Sequence, residues 1–106
     1  MGRAASHHGL LILSTLAEED THGYAIKKDV ERRMGGDLRL GSTPLYRLLG
    51  QLLDAGLIAE RAAPAGESDP RRRYYRITAA GRQELAAELA RLQRVLTAAK
   101  AGRGSR

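Results

Sequence analysis

The chain has 106 residues, 42% of them hydrophobic, which is enough for the core of one small domain that gains from oligomerising. It carries 18 Lys plus Arg against 12 Asp plus Glu, a net charge of +6, so a polyanionic partner is expected, with nucleic acid the leading choice. The absence of cysteine excludes disulfides, zinc ribbons and thiol catalysis, and the longest apolar run, Gly9 to Leu13, is far too short to span a bilayer, so a cytoplasmic protein with no membrane association is expected.

The Gly-, Ser- and Arg-rich ends, 1–6 and 101–106, bury nothing and read as disordered. Between them, His7 to Glu18 reads as a first helix, with Leu10, Leu13 and Leu16 on one face and Leu11 and Ile12 widening it into a central element. Thr21 caps a second helix from His22 to Met34, with Tyr24, Ile26, Val30 and Met34 on its buried side and Lys27, Lys28, Glu31, Arg32 and Arg33 in water. Gly35 and Gly36 stop it, and the alternation in Asp37 to Leu40 predicts a short strand.

The third helix follows, capped by Ser42 or Thr43, with Pro44 in its first turn. At about 100° per residue, Leu45, Leu48, Leu49, Leu52 and Leu53 share one arc. Thr43, Arg47, Gly50, Gln51 and Asp54 share the opposite arc, with Tyr46 on the border. Gly56 ends the helix, and Leu57 and Ile58 open a strand. Leu57 to Ala63 and Arg72 to Thr78 flank a Pro-, Gly- and Asp-rich connection, which predicts an antiparallel hairpin with Tyr75 and Ile77 inward and Tyr74 outward. Thr78 caps a last helix, Ala79 to about Lys100, in which Leu85, Leu89, Leu92 and Leu96 recur at steps of four, three and four.

The fold expected from this order is mainly α with a small β-hairpin: a winged helix-turn-helix (α-α-β-α-β-β) over 7–78, then a dimerisation helix over 79–100. A helix fits the major groove, its N-terminal residues reach base edges, and flanking cations hold phosphates. Ser42, Thr43, Tyr46 and Arg47 are therefore the reading candidates, with Arg47 foremost. Arg71, Arg72 and Arg73 on the wing, and Lys27 and Lys28 on the second helix, are the phosphate candidates. Tyr24 reads as core. His7, His8 and His22 lack carboxylates at ligand spacing, so no metal is expected. With no Gly-rich phosphate loop and no nucleophile constellation, neither catalysis nor a cofactor is expected.

Three segments in this order, His22 to Glu31 (HGYAIKKDVE), Pro44 to Ile58 (PLYRLLGQLLDAGLI) and Arg71 to Leu85 (RRRYYRITAAGRQEL), make the chain resemble the PadR family of bacterial transcriptional regulators, in its smaller subclass with a single C-terminal helix. The resemblance implies a homodimeric, ligand-responsive repressor on double-stranded DNA with a pseudo-palindromic operator. It also implies a small-molecule effector bound between the dimer arms, near Leu10, Leu89, Leu92 and Leu96, with Leu85 on the same seam. Thr43 and Pro44 stand where the family usually has glycine and threonine, so the operator sequence does not carry over. Two other readings fit the same basic wing: an interaction module for an acidic protein, and a sequence-indifferent nucleoid protein held by charge.

Overall fold

A computed structural model of the chain describes residues 7–36 and 39–104. Its elements are α1 (His7–Glu18), β1 (Thr21–His22), α2 (Gly23–Arg33), α3 (Ser42–Asp54), β2 (Ile58–Arg61), β3 (Tyr74–Ile77) and α4 (Ala79–Gly104). The helix and hairpin order matches the winged arrangement read from the sequence. The sheet has three antiparallel strands in the order β1-β3-β2, with Ile58 opposite Ile77, Arg61 opposite Tyr74, and His22 also opposite Tyr74 on the other side.

The strand expected at 37–40 is corrected. Asp37 and Leu38 lie outside the described residues, and Arg39 and Leu40 are in no strand. The Leu40 N–H donates instead to Glu31 Oε2 at 2.8 Å, so its hydrogen bond closes the α2–α3 connection rather than a ladder. The third strand is Thr21–His22, which a periodicity reading cannot see because two residues contain no period.

The same shift moves a cap. Thr21 lies in β1, and His22 is the N-cap of α2, its Nδ1 accepting the Ala25 N–H at 3.3 Å. α3 starts after Gly41 with no side-chain cap bond, so neither Ser42 nor Thr43 fills that role. Gly56 does end the α3 turn, at φ +76°, where a side chain would be strained.

α1 is the central element. Its Ile12, Leu13 and Leu16 pack with Ile26 and Val30 of α2, Leu45, Leu49 and Leu52 of α3, and Ile58, Tyr75 and Ile77 of the sheet. Thr15 hydroxyl, buried in α1, donates to Asp29 Oδ2 of α2 at 2.6 Å, and Arg33 bridges Asp29 and Glu18. A polar strut thus accompanies the apolar seam between the two helices.

Thr78 caps α4 as expected. Its Oγ1 accepts the Gly81 N–H at 3.0 Å and donates to the Gly56 carbonyl at 2.7 Å, which ties the end of α3, the hairpin and the start of α4 to one hydroxyl. Two differences concern α4. It runs to Gly104, through positions 101–104 expected in a disordered tail, and Leu85 is buried in the core of its own domain rather than on a free seam. Full burial of a leucine contributes about 2 kcal/mol, so Leu85 belongs to the winged domain. At about 1.5 Å per residue the rest of α4 forms an arm, and the molecule extends 58 Å along its longest axis.

Candidate nucleic-acid interface

Ser42, Thr43 and Arg47 are exposed on the first turns of α3. Tyr46 is 53% exposed, and its hydroxyl abuts the start of α2: a Cβ placed on Gly23 would stand 3.0 Å from Tyr46 Oη. Glycine at 23 therefore lets the tyrosine lie across the helix end. Tyr24, expected in the core, is 58% exposed: at about 100° per residue it stands roughly 200° round the helix from Ile26, so when α2 turns Ile26 and Val30 to the core Tyr24 faces out, on the side of Lys28.

The wing carries its arginines on an ordered loop. Glu67 accepts from the Tyr74 hydroxyl, which is half-buried rather than fully outward, and from the Asp69 N–H at 2.9 Å. These bonds, with the nearby charge of Arg72, hold the Glu67 carboxyl below the ordinary carboxylate range, and the Tyr74 phenol is pushed up by the same bond. Asp69 in turn accepts the Arg71 N–H at 2.9 Å.

Each wing arginine has an acidic neighbour and still reaches water. Arg71 Nε lies 3.4 Å from Asp69, Arg72 Nη1 lies 3.6 Å from Glu67, and Arg73 Nη1 lies 3.0 Å from Glu60 on β2. The Arg71 and Arg73 pairs are exposed and hold weakly under salt screening, whereas Arg72 faces a largely buried Glu67 and is held more firmly, its own side chain still 42% exposed.

One cleft gathers these groups. Its walls are His22, Gly23 and Tyr24 at the start of α2, Tyr46 of α3, and Asp69 with Arg71, Arg72 and Arg73 of the wing. Arg72 Nη1 comes within 3.2 Å of His22 Nε2, and the Tyr74 ring packs edge-on against the imidazole at 5.3 Å. Burial, then the Arg72 charge, hold the His22 pKa below the ordinary imidazole value.

Lys27 and Lys28 lie apart from this cleft. Both turn to the buried Glu31, at 3.3 and 3.9 Å, and Lys28 also sits 5.9 Å from the Tyr24 ring centroid. The Leu40 N–H, followed by the lysines, keeps the Glu31 carboxyl below its ordinary range. Sequence reasoning thus joined Tyr46 to the wing arginines, but missed His22 and Tyr24 as cleft residues. A histidine before a Gly-Tyr helix start was the available signal.

Of the seam residues, Leu89, Leu92 and Leu96 are 42–50% exposed, and Val95 joins them at 56%. Leu10 packs partly buried on the core. Among the described residues no group of three His, Asp or Glu side chains could hold a metal, and no helix is long and apolar enough to cross a membrane.

A model of the transcriptional regulator PadR-like family matches residues 12–87, the span that carries the cleft, α3 and the wing. The chain belongs to the PadR-like family. Its members are transcriptional regulators and not enzymes. The PadR-like fold superimposes on a PadR family transcription regulator from hypervirulent Clostridium difficile with a TM-score of 0.76 at 26% identity, over 88% of this chain and 94% of that one. A transcriptional regulator from Clostridium thermocellum gives 0.74 at 26% identity, over 89% and 87%. Bacillus subtilis PadR, in a structure with operator DNA, gives 0.64 at 27% identity, over 76% of this chain and 45% of that one. No curated protein sequence matches the chain.

Proposed function

We propose that this PadR-like chain is a cytoplasmic, homodimeric repressor that binds a pseudo-palindromic operator through α3 and the wing and is released by a small-molecule effector. The observation that carries the reading is the adjacency of Tyr46 and the wing arginines across one cleft, beside an α3 whose Ser42, Thr43 and Arg47 are exposed. Arg47 is long enough to reach a base edge from the first turns of a groove-bound helix, while Arg71, Arg72 and Arg73 suit flanking phosphates. Operator DNA bound by Bacillus subtilis PadR supports the same partner here.

The stripe Leu89, Leu92, Val95 and Leu96, half-exposed in the single chain, is the surface for the second copy. An effector seated between the arms near Leu10 and this stripe would change the spacing of the two α3 helices, provided it binds one spacing better than the other. With no Trp or Phe in the chain, that cavity lacks the strongest aromatic stacking partners.

Titrating a duplex from the gene's own promoter against a scrambled duplex across a salt series tests the proposal. A promoter preference that persists as salt rises is expected. Equal affinity for both duplexes would leave a charge-driven nucleoid protein, and no binding to either would leave an interaction module for an acidic protein.

A further inference from the structure

His22 presents a hydrogen-bonding conflict that the single chain does not resolve. Its Nδ1 accepts the Ala25 N–H at 3.3 Å, and Arg72 Nη1 stands 3.2 Å from its Nε2. Both neighbours are donors: an amide, and a guanidinium that is never deprotonated. A neutral imidazole has one lone pair, so it can accept from one of them and must turn an N–H toward the other. The helix amide is fixed by the backbone of α2, whereas Arg72 hangs from the wing with 42% of its side chain exposed. The cap therefore takes the lone pair, and the proton sits on Nε2, facing the guanidinium.

Two donors thus converge at the mouth of the cleft, with the positive end of the α2 dipole behind them and Tyr46 Oη beside Gly23. Glu67, 3.6 Å from Arg72, accepts from the Tyr74 hydroxyl and the Asp69 amide and its charge partly offsets that of Arg72 at His22, while Asp69 accepts from Arg71; neither carboxylate accepts from the imidazole Nε2. An oxygen that accepts from both Nε2–H and the guanidinium would remove the conflict while leaving the cap intact.

We propose that His22 and Arg72 together hold one backbone phosphate of the bound duplex, with His22 donating through Nε2–H as a neutral ligand. This inference rests on the DNA-binding reading above and adds to it a contact made from α2 rather than from α3 or the wing. Because the donor is uncharged, it releases no counterion of its own, and its loss lowers affinity without changing the salt dependence.

His22→Asn is the decisive variant. Asparagine keeps the cap, since its side-chain oxygen can accept the Ala25 N–H, but it is too short to offer the Nε2–H. At a pH above the imidazole range, His22→Asn is expected to bind the promoter and the scrambled duplex about tenfold more weakly, with the slope of log affinity against log salt unchanged and the helical circular dichroism of the free protein retained. Arg72→Ala is expected to lose affinity and flatten that slope. In the wild type, a scalar coupling across the hydrogen bond from His22 Nε2–H to a duplex phosphorus is expected, a signal that a purely capping histidine would not give. Wild-type affinity in His22→Asn would overturn the inference and leave the DNA-binding reading standing. A slope flattened as in Arg72→Ala would overturn it too, because His22 would then only position the arginine. If the wild type binds no duplex, the functional reading fails and this contact fails with it.

Discussion

Gly81 lies so close to Leu57 that a Cβ placed on it would stand 2.0 Å from the Leu57 carbonyl oxygen and 2.7 Å from Ile77 Cγ1. Both neighbours are held: Leu57 is buried and its carbonyl accepts the Thr78 N–H at 3.0 Å, while Ile77 is buried on β3. The helix that leaves the wing can seat here only if residue 81 has no side chain. Gly81→Ala is expected to destabilise the fold by about 1–3 kcal/mol, read as a lower midpoint in urea. Gly50→Ala is the control. Beyond its own stretch of helix nothing lies within 4 Å of its Cβ position, and alanine in a helix interior gains about 0.5–1 kcal/mol over glycine.

Acid should loosen the same fold in a definable way. Glu31, Asp29, Glu67 and Asp69 all titrate below their ordinary values. Glu31 is held down chiefly by the Leu40 N–H. For Asp29 burial pulls the other way, and the hydrogen bonds from Thr15 and Arg33 outweigh it. A carboxyl whose folded pKa is depressed contributes stability that is fully present above its unfolded pKa, near about 4, and is lost as pH falls through the folded value. From these carboxyls the urea midpoint should be flat above about pH 4 and fall below it, while His22, held below its ordinary value, adds a separate decline as pH falls through its unfolded pKa of about 6.5. Glu31→Gln, which still accepts the Leu40 N–H but has no charge for Lys27 and Lys28, should show a shallower fall. An equal fall in both proteins would assign the acid sensitivity to the other carboxylates.

The sequence carried the helices because each repeats its apolar face over three turns or more, and α3 was legible down to the side on which Arg47 and Gln51 stand. It carried the hairpin through the alternation of Tyr75 and Ile77. What it could not carry was set by single contacts. Thr21 and His22 form a strand along the edge of β3, and the α2 cap falls one residue later than its sequence signal. Leu85 and Leu89 look alike as members of one stripe, yet only the first lies beneath the winged domain. The His22–Arg72 approach joins positions 50 residues apart, and no local pattern encodes it.

The division of the α4 stripe yields its own test. Leu92→Arg places a charge on a surface that is exposed in the single chain, so the protomer should keep its thermal transition while sedimentation shows a monomer. Leu85→Ala should act on folding instead, costing about 2–5 kcal/mol as a cavity in the core. A dimer that survives Leu92→Arg would move the interface off this stripe.

Reading and holding should also separate at the DNA. Arg47 stands exposed on the first turns of α3, where a groove-bound helix presents side chains to base edges, so Arg47→Ala is expected to lower affinity for the promoter more than for the scrambled duplex. The loss of one bidentate base contact corresponds to about 1–3 kcal/mol of discrimination. Arg72 sits on the wing beside Glu67, off the reading helix. Arg72→Ala is accordingly expected to weaken both duplexes alike and to reduce the salt slope by about one unit. Both follow from where the guanidiniums are anchored, one on the reading helix and one on a loop braced by Glu67 and Tyr74. If Arg47→Ala left the ratio of the two affinities unchanged while Arg72→Ala altered it, the wing would be the element that reads and α3 the element that holds.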